Sequence, residues 1–210
     1  MYEATAFTSF LQFLVPLVPL FLGTAAINDE IEEKTIMFLF LRPVPKFIVV
    51  LAKTLSVMLS SAVILGGTLA FVFAICASAP NAAMIPGDLP VFLKDIGVFA
   101  LASFAYGGLF LLFGVIFRKP HIWGLIFIFA WDSYAAYLPG NAGIMNIKHF
   151  VTSIYPHQAY NESPLAMLAY HEPVSTATGI TVLICIGVVC SFLAFLAFQA
   201  RDYGYEKAAA

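Results

Sequence analysis

Long apolar runs dominate the chain, and its polar residues fall almost wholly between them. Five runs are bounded by charge, proline or glycine: Phe7–Ile27, Ile48–Ala77, Ile96–Phe117, Ile122–Leu138 and Ala177–Phe198. A helix needs roughly 20 apolar residues to cross a ~30 Å hydrocarbon core, so each run is a candidate span, the fourth with no length to spare. Backbone polar groups find no water in hydrocarbon and must bond within their own segment, which makes these spans helices. The first run has only Glu3 before it and no small-residue cleavage site after it, so it reads as a span and not as a cleaved leader. Pro16 and Pro19 predict a kink inside it.

The connections carry unequal charge. One set holds Lys34, Arg42, Lys46, Lys53, Arg118, Lys119, Arg201 and Lys207, while the opposite set holds Lys94 and Lys148. Eight basic residues against two place the first set in the cytoplasm. The N-terminus is then outside and the C-terminus cytoplasmic. The predicted connections are a long cytoplasmic segment over Asn28–Phe47, a tight cytoplasmic turn at Arg118–His121, and outer segments at Ser78–Asp95 and Pro139–Thr176.

Composition agrees with a membrane location. Of 210 residues, 61% are hydrophobic and 10% charged, far from the ~25% charge of a soluble domain. A net charge of −2 excludes nucleic-acid binding through a general basic surface. Cys76, Cys185 and Cys190 lie in apolar runs, where a thiol acts as a small hydrophobe. The expectation is an all-α, polytopic transmembrane helix bundle forming one domain over residues 1–207, with Ala208–Ala210 set aside as a cloning scar.

Residues 28–53 are the most informative stretch. Asn28 or Asp29 is placed to cap a helix, and Glu30, Glu32 and Glu33 suit the positive end of its dipole. Ile31, Thr35, Phe38 and Leu39 share a face, and Arg42-Pro43 and Pro45 end the helix because proline breaks the hydrogen-bond ladder. Lys53, inside the next span, is positioned to snorkel to the interface. Two readings follow for this amphipathic element: a surface helix that joins two spans, or a docking helix whose acids and aromatics fill a groove on a cytoplasmic partner.

The stretch resembles the signature of ABC-2 type permeases, the membrane subunits of ATP-binding-cassette exporters. Glu30 and Glu32 match the family's paired acids, Thr35 its threonine, Met37–Leu41 its apolar turn, Pro43 its proline and Lys53 its span-opening lysine. Lys46 stands where arginine is usual, Lys34 replaces a glycine and Pro45 a serine. The family order is six spans with both ends cytoplasmic, and the five runs resemble its second to sixth, the first being absent here. Tyr155–Tyr160 resembles a short element found before the last span. The resemblance implies that residues 28–47 form a coupling helix, with Glu30, Glu32, Glu33, Thr35, Arg42, Pro43 and Lys46 at the contact with an ATPase subunit. It also implies a second permease chain, identical or different, embedding in lipid of the inner (plasma) membrane, and no nucleic-acid partner. No phosphate loop of the Gly-x-x-x-x-Gly-Lys-Ser/Thr kind is present, so ATP and magnesium belong to a separate chain and no cofactor is expected in this one.

Other residues invite chemistry. Asp132 lies about ten residues into the fourth run, near the bilayer centre, where a carboxylate is costly and by default functional. It lines a translocation path or relays protons; alternatively it makes a structural hydrogen bond to Tyr134, Tyr137 or a neighbouring span, or sits just inside the outer interface. Trp131, Tyr134 and Tyr137 suit an aromatic belt. His149, His157 and His171, with Glu162 and Glu172, match no zinc spacing and read as solvated loop residues. His121 is expected at the inner surface. Gly66, Gly67, Gly107, Gly108 and Gly114, with Ser103, are expected where helices approach closely. Competing function classes are a membrane-embedded enzyme using Asp132 and the outer histidines, and a non-transporting anchor or sensor subunit.

Overall fold

The computed structural model describes residues 13–33, 45–77, 85–132, 146–154 and 174–200, with the backbone alone at 31–32, 76–77 and 85–88. Every regular element among them is helical: α1 (Val15–Glu32), α2 (Lys46–Ala77), α3 (Ile85–Ile116), α4 (Pro120–Ile126), α5 (Ile147–Ile154) and α6 (Thr176–Ala200). A π-helical turn, Phe127–Asp132, continues α4. The protein is thus an all-α bundle.

Three helices have the length and apolarity to cross a membrane: α2 over Lys46–Ile75, α3 over Leu89–Ile116, and α6. The first and fourth candidate spans begin or end outside the described residues. At ~1.5 Å per residue, α2 and α3, of 32 residues each, run about 48 Å and so overreach a ~30 Å core. Their apolar faces agree with that setting. Leu55, Leu59, Val63 and Phe71 on α2 and Ile184, Val188, Phe192 and Leu196 on α6 are exposed, a larger apolar surface than soluble monomers present to water.

Helix α3 is the hub. Of its spanning stretch 56% is buried, against 28% for α2 and 17% for α6, and it packs on α1, α2, α4, α5 and α6. One core, built on Leu20, Leu65, Leu69, Phe99, Tyr106 and Phe110, fills the middle of the bundle. A second, with Ile27, Val50, Val57, Val115 and Phe198, closes one end. That end gathers the C-termini of α1, α3 and α6 with the N-termini of α2 and α4, and so carries Lys46, Lys53, Arg118 and Lys119 on one side of the molecule, as the charge pattern requires. A Cβ on Gly108 of α3 would stand 2.7 Å from the carbonyl oxygen of Gly187 on α6, so this crossing depends on glycine. Gly114 meets the Thr24 backbone of α1 in the same way, at 3.0 Å.

Several boundaries differ from the sequence expectation. No helix starts at Asn28 or Asp29: α1 runs unbroken to Glu32, and Asn28 is buried within it. The acids therefore lie in the last turns of α1, facing the negative end of its dipole. Helix α3 begins at Ile85, so Pro86, Pro90 and Asp95, expected in an outer loop, are helical. Proline at the second position of a helix costs no intrahelical bond, because that amide is an orphan there. Within the outer segment, residues 147–154 form α5, whose Ile147 and Val151 are buried in the central core. Gly66 and Gly67 do not mediate a helix contact, since a Cβ at either meets nothing within 4 Å. His149, expected as a solvated loop residue, is part of α5 and half-buried.

Buried hydroxyls on the long helices are satisfied within their own backbone. Thr54 donates to the Val50 carbonyl at 2.9 Å, Ser61 to Val57 at 2.7 Å and Ser103 to Phe99 at 2.7 Å. Each has bonded four residues back, as apolar surroundings demand.

Candidate functional sites

The basic end is built around an ion pair between helices. Glu30, in the last turn of α1, pairs with Lys53, two turns into α2. Lys53 thus meets a protein carboxylate and not the lipid interface alone. The cation also offsets the unfavourable position of an acid at a helix C-terminus. Phe47 of α2 packs edge-on against Phe195 of α6 at 5.6 Å, joining a third helix to the same end. Lys46 opens α2 and is half-buried, while Glu33 is exposed just past α1. Thr35, Arg42 and Pro43 lie outside the described residues, as does the side chain of Glu32.

Beside this end, His121 joins the α3–α4 turn to α1. Its Nδ1 is 2.7 Å from Thr24 Oγ1, and its ring lies 6.0 Å from that of Phe21. Thr24 gives its single hydroxyl proton to the Leu20 carbonyl at 2.6 Å. It must therefore accept from His121, which assigns the proton to Nδ1. The histidine is an anchor between elements, a role its position in a turn did not reveal.

The second site is polar and internal. Asp132, 2% exposed, ends the π-helical turn. The buried Tyr106 of α3 donates its hydroxyl to Asp132 Oδ2 at 2.6 Å. Asn146, also buried, donates its side-chain amide to the Asp132 carbonyl at 2.7 Å. The Lys148 amide lies 3.4 Å from Oδ1 and 3.1 Å from the Asn146 side-chain oxygen. One carboxylate thereby knits together α3, the extension of α4 and the N-terminus of α5. Burial draws the Lys148 ammonium below its ordinary value, with the charge of Asp132 acting in the opposite sense. Asp132 is the last residue of its helix, where carbonyls lack an intrahelical donor, so its carbonyl is open to Asn146. Of the partners anticipated for Asp132, the neighbouring span supplies the bond; Tyr134 and Tyr137 lie outside the described residues.

Tyr106, Asn146 and the buried Asp95 escaped sequence reasoning. Tyr106 left a trace: it and Asp132 stand thirteen residues on either side of Lys119, so an antiparallel hairpin turning there puts them level. Among the described residues no three His, Cys, Asp or Glu side chains are grouped to hold a metal ion. His157, His171, Glu162, Glu172 and the Tyr155–Tyr160 element lie outside those residues.

Comparison with known proteins adds a family. Residues 2–203 match the profile of a family described as ABC-2 family transporter protein. No curated protein matches the chain.

Proposed function

Because the chain belongs to the ABC-2 family of transporter proteins, a membrane component and not itself a catalyst, we propose that it is the permease subunit of an exporter driven by a separate cytoplasmic ATPase. Two permease chains enclose the path, and the segment 28–47 is the element on which the ATPase acts. Glu30, Glu32, Glu33, Thr35, Arg42, Pro43 and Lys46 supply that contact, on the cytoplasmic face of the inner membrane, with the C-terminus on the same side.

The observation that carries this reading is the Glu30–Lys53 pair. It ties the two helices flanking the elbow to each other, so a push on residues between them moves α1 and α2 as one body. Because α3 packs on both, the displacement reaches the hub. Closure of two ATPase subunits then biases a two-state arrangement of the bundle, which is what alternating access needs.

The test is co-purification and ATPase stimulation with the phosphate-loop ATPase of the same complex. Glu30→Lys should reduce stimulation at least tenfold, and adding Lys53→Glu should restore most of it by rebuilding the pair in reverse. Arg42→Ala should weaken co-purification without changing the amount of folded chain. Full stimulation in Glu30→Lys and Arg42→Ala together would show that the drive enters elsewhere.

A further inference from the structure

Helices α3 and α4 leave an open apolar groove on the outer surface of the bundle. Phe113 and Phe117 form one wall, and Trp123, Phe127, Ala130 and Trp131 the other. The second set recurs at helical spacing along one face, which is why it points one way. Aromatic contacts fix both walls: Phe113 meets Phe127 edge-on at 5.9 Å, and Phe117 stacks on Trp123 at 5.1 Å. Trp123 and Trp131 are both about half exposed to the groove's open side.

Two features say what lies there. The groove holds about 340 Å³ and is lined by aromatic and aliphatic side chains. A flexible hydrocarbon chain suits a lining of that kind. Its basic end is closed by the Phe117–Trp123 stack, and the turn between those rings carries Arg118 and Lys119, both exposed. Acids of α1 share this end, but among the described residues neither cation forms a salt bridge, and Glu30 is engaged by Lys53.

We propose that this groove is a binding site for an anionic membrane phospholipid, with an acyl chain between the two aromatic walls and the phosphate on Arg118 and Lys119. Bulk lipid tails are as apolar as the groove, so burial alone selects nothing. Selection comes from the headgroup, at about fivefold per cation. The lipid fills a seam that would otherwise admit mobile annular lipid, and it pins the α3–α4 hairpin on which Asp132 and His121 are mounted.

The two tryptophans of the chain both line the groove, so they report its occupant directly. The full chain is reconstituted in mixed vesicles of phosphatidylglycerol and phosphatidylcholine with bromine on the acyl chains of one or the other. Brominated phosphatidylglycerol should quench tryptophan fluorescence at a roughly 25-fold lower mole fraction than brominated phosphatidylcholine. R118Q/K119Q should abolish the difference while leaving quenching by lipid in general. A130F, which narrows the groove and leaves both cations in place, should reduce quenching by either lipid. Equal quenching by both headgroups in the unaltered chain would overturn the proposal by showing annular lipid only. Quenching by neither would overturn it too, showing the groove covered by protein, such as a second copy of the chain.

Discussion

Asp132 shows what a single buried carboxylate requires. Left in hydrocarbon without partners it would cost far more than a fold can spare, and here the Tyr106 hydroxyl and the Lys148 amide meet its two oxygens. Tyr106→Phe removes a donor from a buried acceptor, so it should destabilise the chain by about 1–3 kcal/mol in detergent thermal unfolding. Asp132→Asn keeps an oxygen for the tyrosine and should cost less. The combination Tyr106→Phe with Asp132→Leu deletes both partners and should lie closer to the unaltered chain than either residue's worst single change. If Asp132 also serves transport, Asp132→Asn will abolish it with stability retained; a purely structural residue will lose the two together. His121 follows the same logic on a smaller scale. His121→Ala forfeits one hydrogen bond to the fully buried Thr24 and should lower stability by about 1 kcal/mol.

Among helices, glycines divide sharply by what faces them. At Gly108 a methyl group would collide with the Gly187 backbone, which cannot rotate aside as a side chain can. Gly108→Ala should force α3 from α6 and cost about 1–3 kcal/mol. Gly66 of α2 faces open space, so Gly66→Ala should be neutral or should stabilise by up to ~1 kcal/mol through helix propensity. The two variants are compared by unfolding midpoint in one detergent. Both glycines sit in apolar runs and look equivalent in sequence; only the direction each faces separates them. The same holds for helix ends. Asn28 and Asp29 have the composition of a cap, yet α1 continues through them because Ile27 and its neighbours are buried against α2 and α3 in the end cluster. Tertiary packing overrides a local capping preference worth about 1 kcal/mol.

For the whole molecule, the bundle collects its cations at one end. Lys46, Lys53, Arg118 and Lys119 meet there because the start of α2 and the α3–α4 turn both lie beside the end of α1. Cysteine labelling tests that arrangement in intact cells. In a chain with its three native cysteines replaced, Lys119→Cys and Lys46→Cys should react only after the inner face is exposed. Ser175→Cys, at the start of α6, should react from the opposite side. Labelling of all three from one side would refute the spans assigned to α2, α3 and α6.

The apolar runs and their uneven charge were enough for an all-helical membrane bundle with a basic end, since hydrocarbon leaves the backbone one economical way to bond and cations remain where the membrane permits. The pairing of acid with lysine across the elbow was within reach as well, because Glu30 and Lys53 stand at nearly equal distances from Arg42. Which residues those spans turn toward one another was not. The Tyr106–Asp132 bond, the anchoring of Thr24 by His121, and the descent of α5 into the core depend on helix rotation and on a π turn, properties that arise when several faces pack at once and that no single run of sequence carries.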